Sequence, residues 1–237
     1  MELLSARPES EMALGEIARR TGLNSSTCAN ILKTLTAEAY VEQVGYKRGY
    51  KPGPKLYFLV RHGSYRKDMA QVAYPLLQRL SDAIGETALV VTLFRNRRYL
   101  VQMYEANHDI RINSDMFLSN DVYTTATGHV LLANLGERDL ESFLRIEGLP
   151  RPSQWPGAGS RKNLNESLRR IREQGFEKTA IGENIRAFAV PIRESDRVVA
   201  ALGVPVPSFR YREENDTHLL GRMRTTVGRI EEALAKY

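Results

Sequence analysis

Apolar side chains between residues 14 and 35 recur at helical spacing in two short runs with a glycine between them. In LGEIARRTGLNSSTCANILKTL, Leu14, Ile17 and Ala18 mark the first run. Cys28, Ile31, Leu32 and Leu35 mark the second at i, i+3, i+4 and i+7, which predicts one inward helical stripe. Gly22 suits the turn, and Asn24, Ser25, Ser26 and Thr27 crowd the start of the second helix, where side-chain oxygens cap free N–H groups. The outward face then holds Ser26, Thr27, Asn30, Lys33 and Thr34. Beyond it the period shortens. Tyr40, Val41 and Val44 suit a strand, Gly45 a turn, and Tyr46 to Lys51 a returning strand. Pro52-Gly53-Pro54 stops that hairpin, because proline cannot extend a ladder.

Past this break, LYFLV at 56–60 predicts a short apolar helix. A longer one is predicted over about 66–83, with Met69, Val72, Ala73, Leu76, Leu77 and Leu80 at helical spacing and Pro75 as a kink. This segment suits either pairing with its twin in a dimer or packing on its own C-terminal domain. Strand-like runs occupy 87–95, 98–106, 109–115, 185–194 and 197–207. Helices are predicted at 125–135, 137–146, 161–174 and 213–235. Gly128 near the start of the first implies close backbone approach, and the Pro, Ser and Gly of 149–159 predict a mobile loop. The order predicts an α+β protein with a mostly antiparallel sheet flanked by helices. We divide it into a winged helix-turn-helix at 1–54, linker helices at 55–84 and a larger domain at 85–237.

Composition narrows the class. Hydrophobic content of 42% and charged content of 26% are ordinary for a globular protein. One cysteine rules out an internal disulfide framework, and Cys28 reads as a small core residue. No apolar run approaches the ~18–20 residues of a membrane span, and no signal peptide is evident, so a cytoplasmic protein is expected. The four histidines show no metal-ligand spacing, and there is no nucleophile elbow or P-loop. We therefore expect no catalytic residues, metal or cofactor.

Charge and side-chain chemistry point to a polyanion. Residues 1–66 hold 10 lysines and arginines against 6 acids, a denser basic excess than the 24 against 22 of residues 67–237. A helix-turn-helix aims its second helix into the DNA major groove. There Ser and Thr reach phosphates or base edges, Asn pairs with adenine, and Lys meets guanine or phosphate. Asn24, Ser25, Ser26, Thr27, Asn30 and Lys33 are the candidates, with Lys47, Arg48 and Lys51 on a basic wing along the phosphates. The competing reading is a solvated face on an ordinary helical hairpin.

Four ordered stretches extend the picture: LGEIARRTGLNSSTCANILKTL with a wing ending near YKPGPKLYFL, TTATGHVLLANL at 124–135, GENIRAFAVPI at 182–192, and VVAALGVPVPSFRY at 198–211. Through them the whole chain resembles the IclR family of bacterial transcription regulators. The resemblance implies a winged helix-turn-helix, a linker helix and a GAF-like effector domain. It also implies a homodimer or homotetramer on a palindromic double-stranded DNA operator. The first helix of such a domain falls in about Met1 to Arg7, and the family's usual Lys after the helix glycine is His129 here. His129 fits a surface or satisfied ring better than a pH-sensitive contact.

The resemblance also places a small-molecule effector at the start of the 125–135 helix. Thr125, Ala126, Thr127 and Gly128 would meet a carboxylate there, although Thr125 serves equally well as a helix cap. The facing positions fall near Ala187, Ala189, Gly203 and Pro205, small apolar walls that suit a larger or less polar ligand. Glu177 and Glu183 fit solvated carboxylates better than ligand contacts, and Met103, Met116 and Phe117 fit core better than an adaptable wall. Two other classes stay open: a ligand-independent DNA-binding protein, and a small-molecule-modifying enzyme with an appended DNA-binding module.

Overall fold

Three short helices and a hairpin enclose the first core. A computed structural model of the chain describes residues 1–5, 10–45, 48–62, 67–106 and 121–236. It divides into two compact units, Met1–Tyr65 and Arg66–Tyr237. In the first, α1 (Glu2–Ser5), α2 (Leu14–Thr21) and α3 (Ser25–Ala37) precede β1 (Val41–Gln43) and β2 (Tyr50–Pro52), and α4 (Pro54–His62) follows. Leu4, Met12, Ile17, Ala18, Cys28, Leu32 and Val41 form the buried core. Gly22 turns α2 into α3 in the left-handed conformation at φ 69°, where a side chain would strain the backbone. Asn24 Oδ1 then caps α3 by accepting from Thr27 N at 2.8 Å.

One position departs from the expected stripe. Ile31 is 46% exposed, whereas Cys28 and Leu32 are buried and Leu35 is partly so. The elements that pack on α3 are α2 and β1, and they cover the Cys28–Leu32 side. Ile31 meets the i, i+3 template but sits on the flank, so it joins the outward face.

In the second unit, α5 (Lys67–Ile84) runs through Pro75 as one helix. β3 (Ala88–Phe94) and β4 (Arg97–Tyr104) follow, then α6 (Ala126–Ala133), α7 (Glu137–Glu147) and α8 (Arg161–Gln174). β5 (Glu177–Ile181), β6 (Ile185–Glu194), β7 (Arg197–Pro207), a 3-10 turn (Glu213–Asn215) and α9 (Asp216–Leu234) complete it. The strands form one antiparallel sheet in the order β4-β3-β7-β6-β5. The linker expected at 55–84 is thus divided, with α4 in the first unit and α5 in the second. β5 extends the expected sheet by an edge strand, and the strand expected at 109–115, with His108, Met116 and Phe117, lies outside the described residues.

Both faces of the sheet are covered, which explains its near-continuous apolar runs. Phe188, Val190, Leu202 and Val204 face α5 and α9. Ala187, Ala189 and Ala201 face α6 and α8. The small residues thus lie beneath α6, which comes close to the sheet and is buried along its whole length. Gly128 makes a second close approach possible. A Cβ there would meet the Val122 carbonyl oxygen at 2.0 Å, a backbone atom with nowhere to go.

The loop expected at 149–159 is tied to the core through Trp155 and Ala158. Trp155 is buried, and its ring stacks on His129 with centroids 3.5 Å apart and planes 7° from parallel. His129 Nε2 donates to the Tyr123 carbonyl at 2.6 Å, and Nδ1 faces Glu177 Oε1 at 3.4 Å. Glu177 is 3% exposed, so it is an interior partner of the ring rather than a solvated carboxylate. Arg170 reaches its other oxygen from the surface at 3.4 Å. His129 is accordingly a satisfied core residue. Glu183 does lie at the surface.

Candidate DNA-binding face and ligand cavity

The outward face of α3 assembles the residues expected there. Ser25, Ser26, Thr27, Asn30, Ile31, Lys33 and Thr34 are all exposed along one side. Asn24 stands apart from them in role, because its Oδ1 accepts from both Thr27 N and the Ser26 hydroxyl at 2.8 Å. It positions the helix start, and its acceptor is occupied. Lys33 has no carboxylate partner among the described residues. On the hairpin, Lys51 pairs with Glu42 across β1 and β2 at 3.2 Å, and Arg48 is exposed beside the turn. Lys47 lies outside the described residues. The surface offers hydroxyls, an amide and a cation at one helix face, with an aliphatic side chain beside them. Those are the groups that read base edges and the thymine methyl.

In the second unit a cavity of about 300 Å³ lies between the start of α6 and the sheet. Thr125, Ala126, Thr127, Ala187, Gly203 and Pro205 line it, as do Leu89, Thr124, Ile181, Ile185 and Arg98. Gly128 and Ala189 do not; the first is packed on Val122 and the second is fully buried. The register explains the grouping: Ala187 pairs with Pro205, and Gly203 pairs with both Ala189 and Leu89. A Cβ at Gly203 would reach the Thr127 methyl at 2.6 Å, so the glycine lets α6 settle against β7.

Thr125 is the helix cap. Its hydroxyl accepts from Gly128 N at 3.2 Å. That leaves the α6 N-terminus with its positive dipole end toward the cavity. Arg98 was not among the expected residues. It is 4% exposed, and its Nη1 donates to Thr127 Oγ1 at 3.2 Å. Burial pushes its guanidinium down to about 10, against the opposing pull of Asp121. The sequence gives little hint of this, because Arg97-Arg98 follows the turn residues Arg95-Asn96 and reads as a solvated basic corner. Nearby, burial first and then Glu147 and Asp121 push the Tyr123 hydroxyl up, so it remains a donor to the Gly148 carbonyl.

Among the described residues, no group of three or more His, Cys, Asp or Glu could hold a metal ion. No helix among them is long and apolar enough to cross a membrane.

Comparison with known proteins agrees with both halves. Residues 1–45 match the IclR helix-turn-helix domain, and residues 64–232 match the domain described as bacterial transcriptional regulator IclR C-terminal. The chain is 31% identical over 208 residues to the transcriptional regulator XynR of Escherichia coli, covering 84% of this chain and 80% of that protein. It is 26% identical over 225 residues to KdgR of Escherichia coli, covering 94% of this chain and 85% of that protein. An IclR homologue from Microbacterium hydrocarbonoxydans, solved in complex with 4-hydroxybenzoate, shares the fold with a TM-score of 0.80 at 22% identity. That match covers 96% of this chain and 93% of the other. The relatives are transcriptional regulators rather than enzymes. With a helix-turn-helix for DNA and a separate C-terminal ligand-binding domain, the chain belongs to the IclR family of bacterial transcriptional regulators.

Proposed function

We propose that the chain binds a palindromic double-stranded DNA operator as a homodimer or homotetramer, and that a small organic acid in the second unit controls that affinity. That acid is a carboxylic, sugar or aromatic acid. Ser25, Ser26, Thr27, Asn30 and Lys33 meet the major groove, with Asn24 holding the helix start. Lys47, Arg48 and Lys51 follow the phosphate backbone. The acid lies against Thr125, Ala126 and Thr127, with Ala187, Gly203 and Pro205 opposite, while Gly128 and Ala189 shape the walls from behind.

The observation that carries this reading is the cavity at the start of α6. DNA binding alone does not require a second unit with an internal space of ligand size. The polar face of α3 and the family's DNA-binding domain support the other half. A complex with 4-hydroxybenzoate in a protein of the same fold is in keeping with an acid ligand.

The mechanism is linkage. A ligand shifts operator affinity only by binding more tightly to one arrangement of the paired DNA-binding domains than to another. A thermal-shift screen of carboxylic, sugar and aromatic acids tests the site. A ligand that binds only the folded state at 100 times its Kd adds about 2.7 kcal/mol of stability. At least one class is expected to raise the Tm of the intact chain, and a blank across all three would remove the acid cavity from the account.

A further inference from the structure

A second concave site lies on the other face of the sheet from the ligand cavity. There α5 and α9 pack against each other and cover Phe188, Val190 and Leu202. Between the two helices runs an open groove of about 520 Å³. His218, Arg222, Thr225 and Arg229 line it from α9 at i, i+4, i+7 and i+11, which is one helical stripe. Arg79 lines it from α5.

Among the described residues, no carboxylate lines this groove. Arg79, Arg222 and Arg229 have none within ion-pair distance, although Asp82 and Glu232 follow two of them by one helical turn. Arg222 Nε donates to His218 Nε2 at 2.7 Å, which fixes one edge of that guanidinium and leaves both Nη groups for another acceptor. All three guanidiniums are charged at neutral pH and repel one another across the groove. Walls of one sign of charge focus the field on the space between them. Gly221 adds a second sign of an open site. Glycine is a poor residue for the interior of a helix, and a Cβ built on it meets nothing within 4 Å. Packing does not call for it, but a larger side chain there would enter the groove that Gly221 lines.

We propose that this groove binds a compact polyphosphate group, either free or carried by a nucleotide. Arg222 and Arg229 are about 10 Å apart along the helix axis, with Arg79 across from them, so several linked anionic groups are needed to meet all three. The planar guanidinium fork matches pairs of phosphate oxygens. The size of the groove suits a small molecule rather than a duplex.

Isothermal titration calorimetry of the intact chain in metal-free buffer tests this, with tripolyphosphate, ATP, orthophosphate and citrate as probes. Tripolyphosphate or ATP is expected to bind roughly 10-fold or more tightly than orthophosphate and citrate, and to weaken as salt rises. Equal affinity for these two assigns the groove to the phosphates alone, and a further gain of roughly 10-fold for ATP assigns it to a nucleotide. Arg222→Gln with Arg229→Gln is expected to weaken the tighter probe by roughly 100-fold. Both side chains are exposed, so the Tm should hold. Gly221→Leu keeps every charge and is expected to weaken the same probe by roughly 10-fold by filling the groove. The α3 face also carries basic residues, so Lys33→Ala with Arg48→Ala is the control and should leave the affinity unchanged. No binding of tripolyphosphate or ATP would overturn the proposal, as would citrate binding equally well. Affinity that survives both groove variants, or that falls only in the control, would place the anion elsewhere and overturn it too.

Discussion

Gly128→Ala is expected to lower the thermal stability of the second unit by about 3 kcal/mol or more, since overpacking a tight interior costs about 1–3 kcal/mol when side chains can adjust. Here they cannot, because the atom in the way is the Val122 carbonyl oxygen, 2.0 Å from the added Cβ. Either α6 moves off the segment that precedes it or that segment moves. Both disturb the Thr125 cap and the His129 bond to Tyr123, which anchor the same turn. For a unit of this size the Tm should fall by about 10 °C in a calorimetric scan, and a change within about 2 °C would show that the turn has room. Gly15, with nothing within 4 Å of an added Cβ, is the control and should accept alanine without loss.

The second large effect is on binding rather than stability. Asn30→Ala with Lys33→Ala removes an amide and a cation from the exposed face of α3. Surface changes of this kind leave stability within about 0.5 kcal/mol, so the Tm should hold. A good base contact is worth about 1–3 kcal/mol, and a symmetric oligomer makes each contact twice. Operator affinity is therefore expected to fall roughly 100-fold or more in a gel-shift assay, with residual binding that tracks salt rather than sequence. Unchanged operator binding with an intact fold would remove α3 as the reading helix.

Tight packing and surface chemistry were not equally legible in the chain. Elements with strong periodicity were readable: α3, α8, α9, β6 and β7 fall close to their expected limits. Gly128 announced a close approach, but its partner at Val122 depends on how the preceding turn folds. Ile31 matched the inward template and lies outward, because spacing fixes which residues share a stripe but not how wide a stripe the neighbours cover. Polar residues in the interior were the least legible. Glu177 and Arg98 look like surface groups in a one-dimensional reading, and His129 fits a surface ring as well as a satisfied one. Only the sheet register and the position of α6 bring Glu177 to His129 and Arg98 to Thr127. The loop at 149–159 shows the same effect. Its composition favours turns, but Trp155 and Ala158 bury it in the core and Trp155 stacks on His129.

The cavity follows from the same asymmetry between the two faces of the sheet. Large residues on the α5 and α9 side fill that core, and small ones on the α6 side leave space that the buried threonines and Arg98 make selectively polar. Any signal from this space must alter how strongly the α3 faces hold DNA. The most direct test is fluorescence anisotropy of the intact chain on its operator, with and without a saturating acid identified by the thermal-shift screen. Operator Kd is expected to change by about 5-fold or more, and the acid's own Kd to change by the same factor when operator is present, as linkage requires. An operator Kd that is identical with and without bound acid would contradict the account.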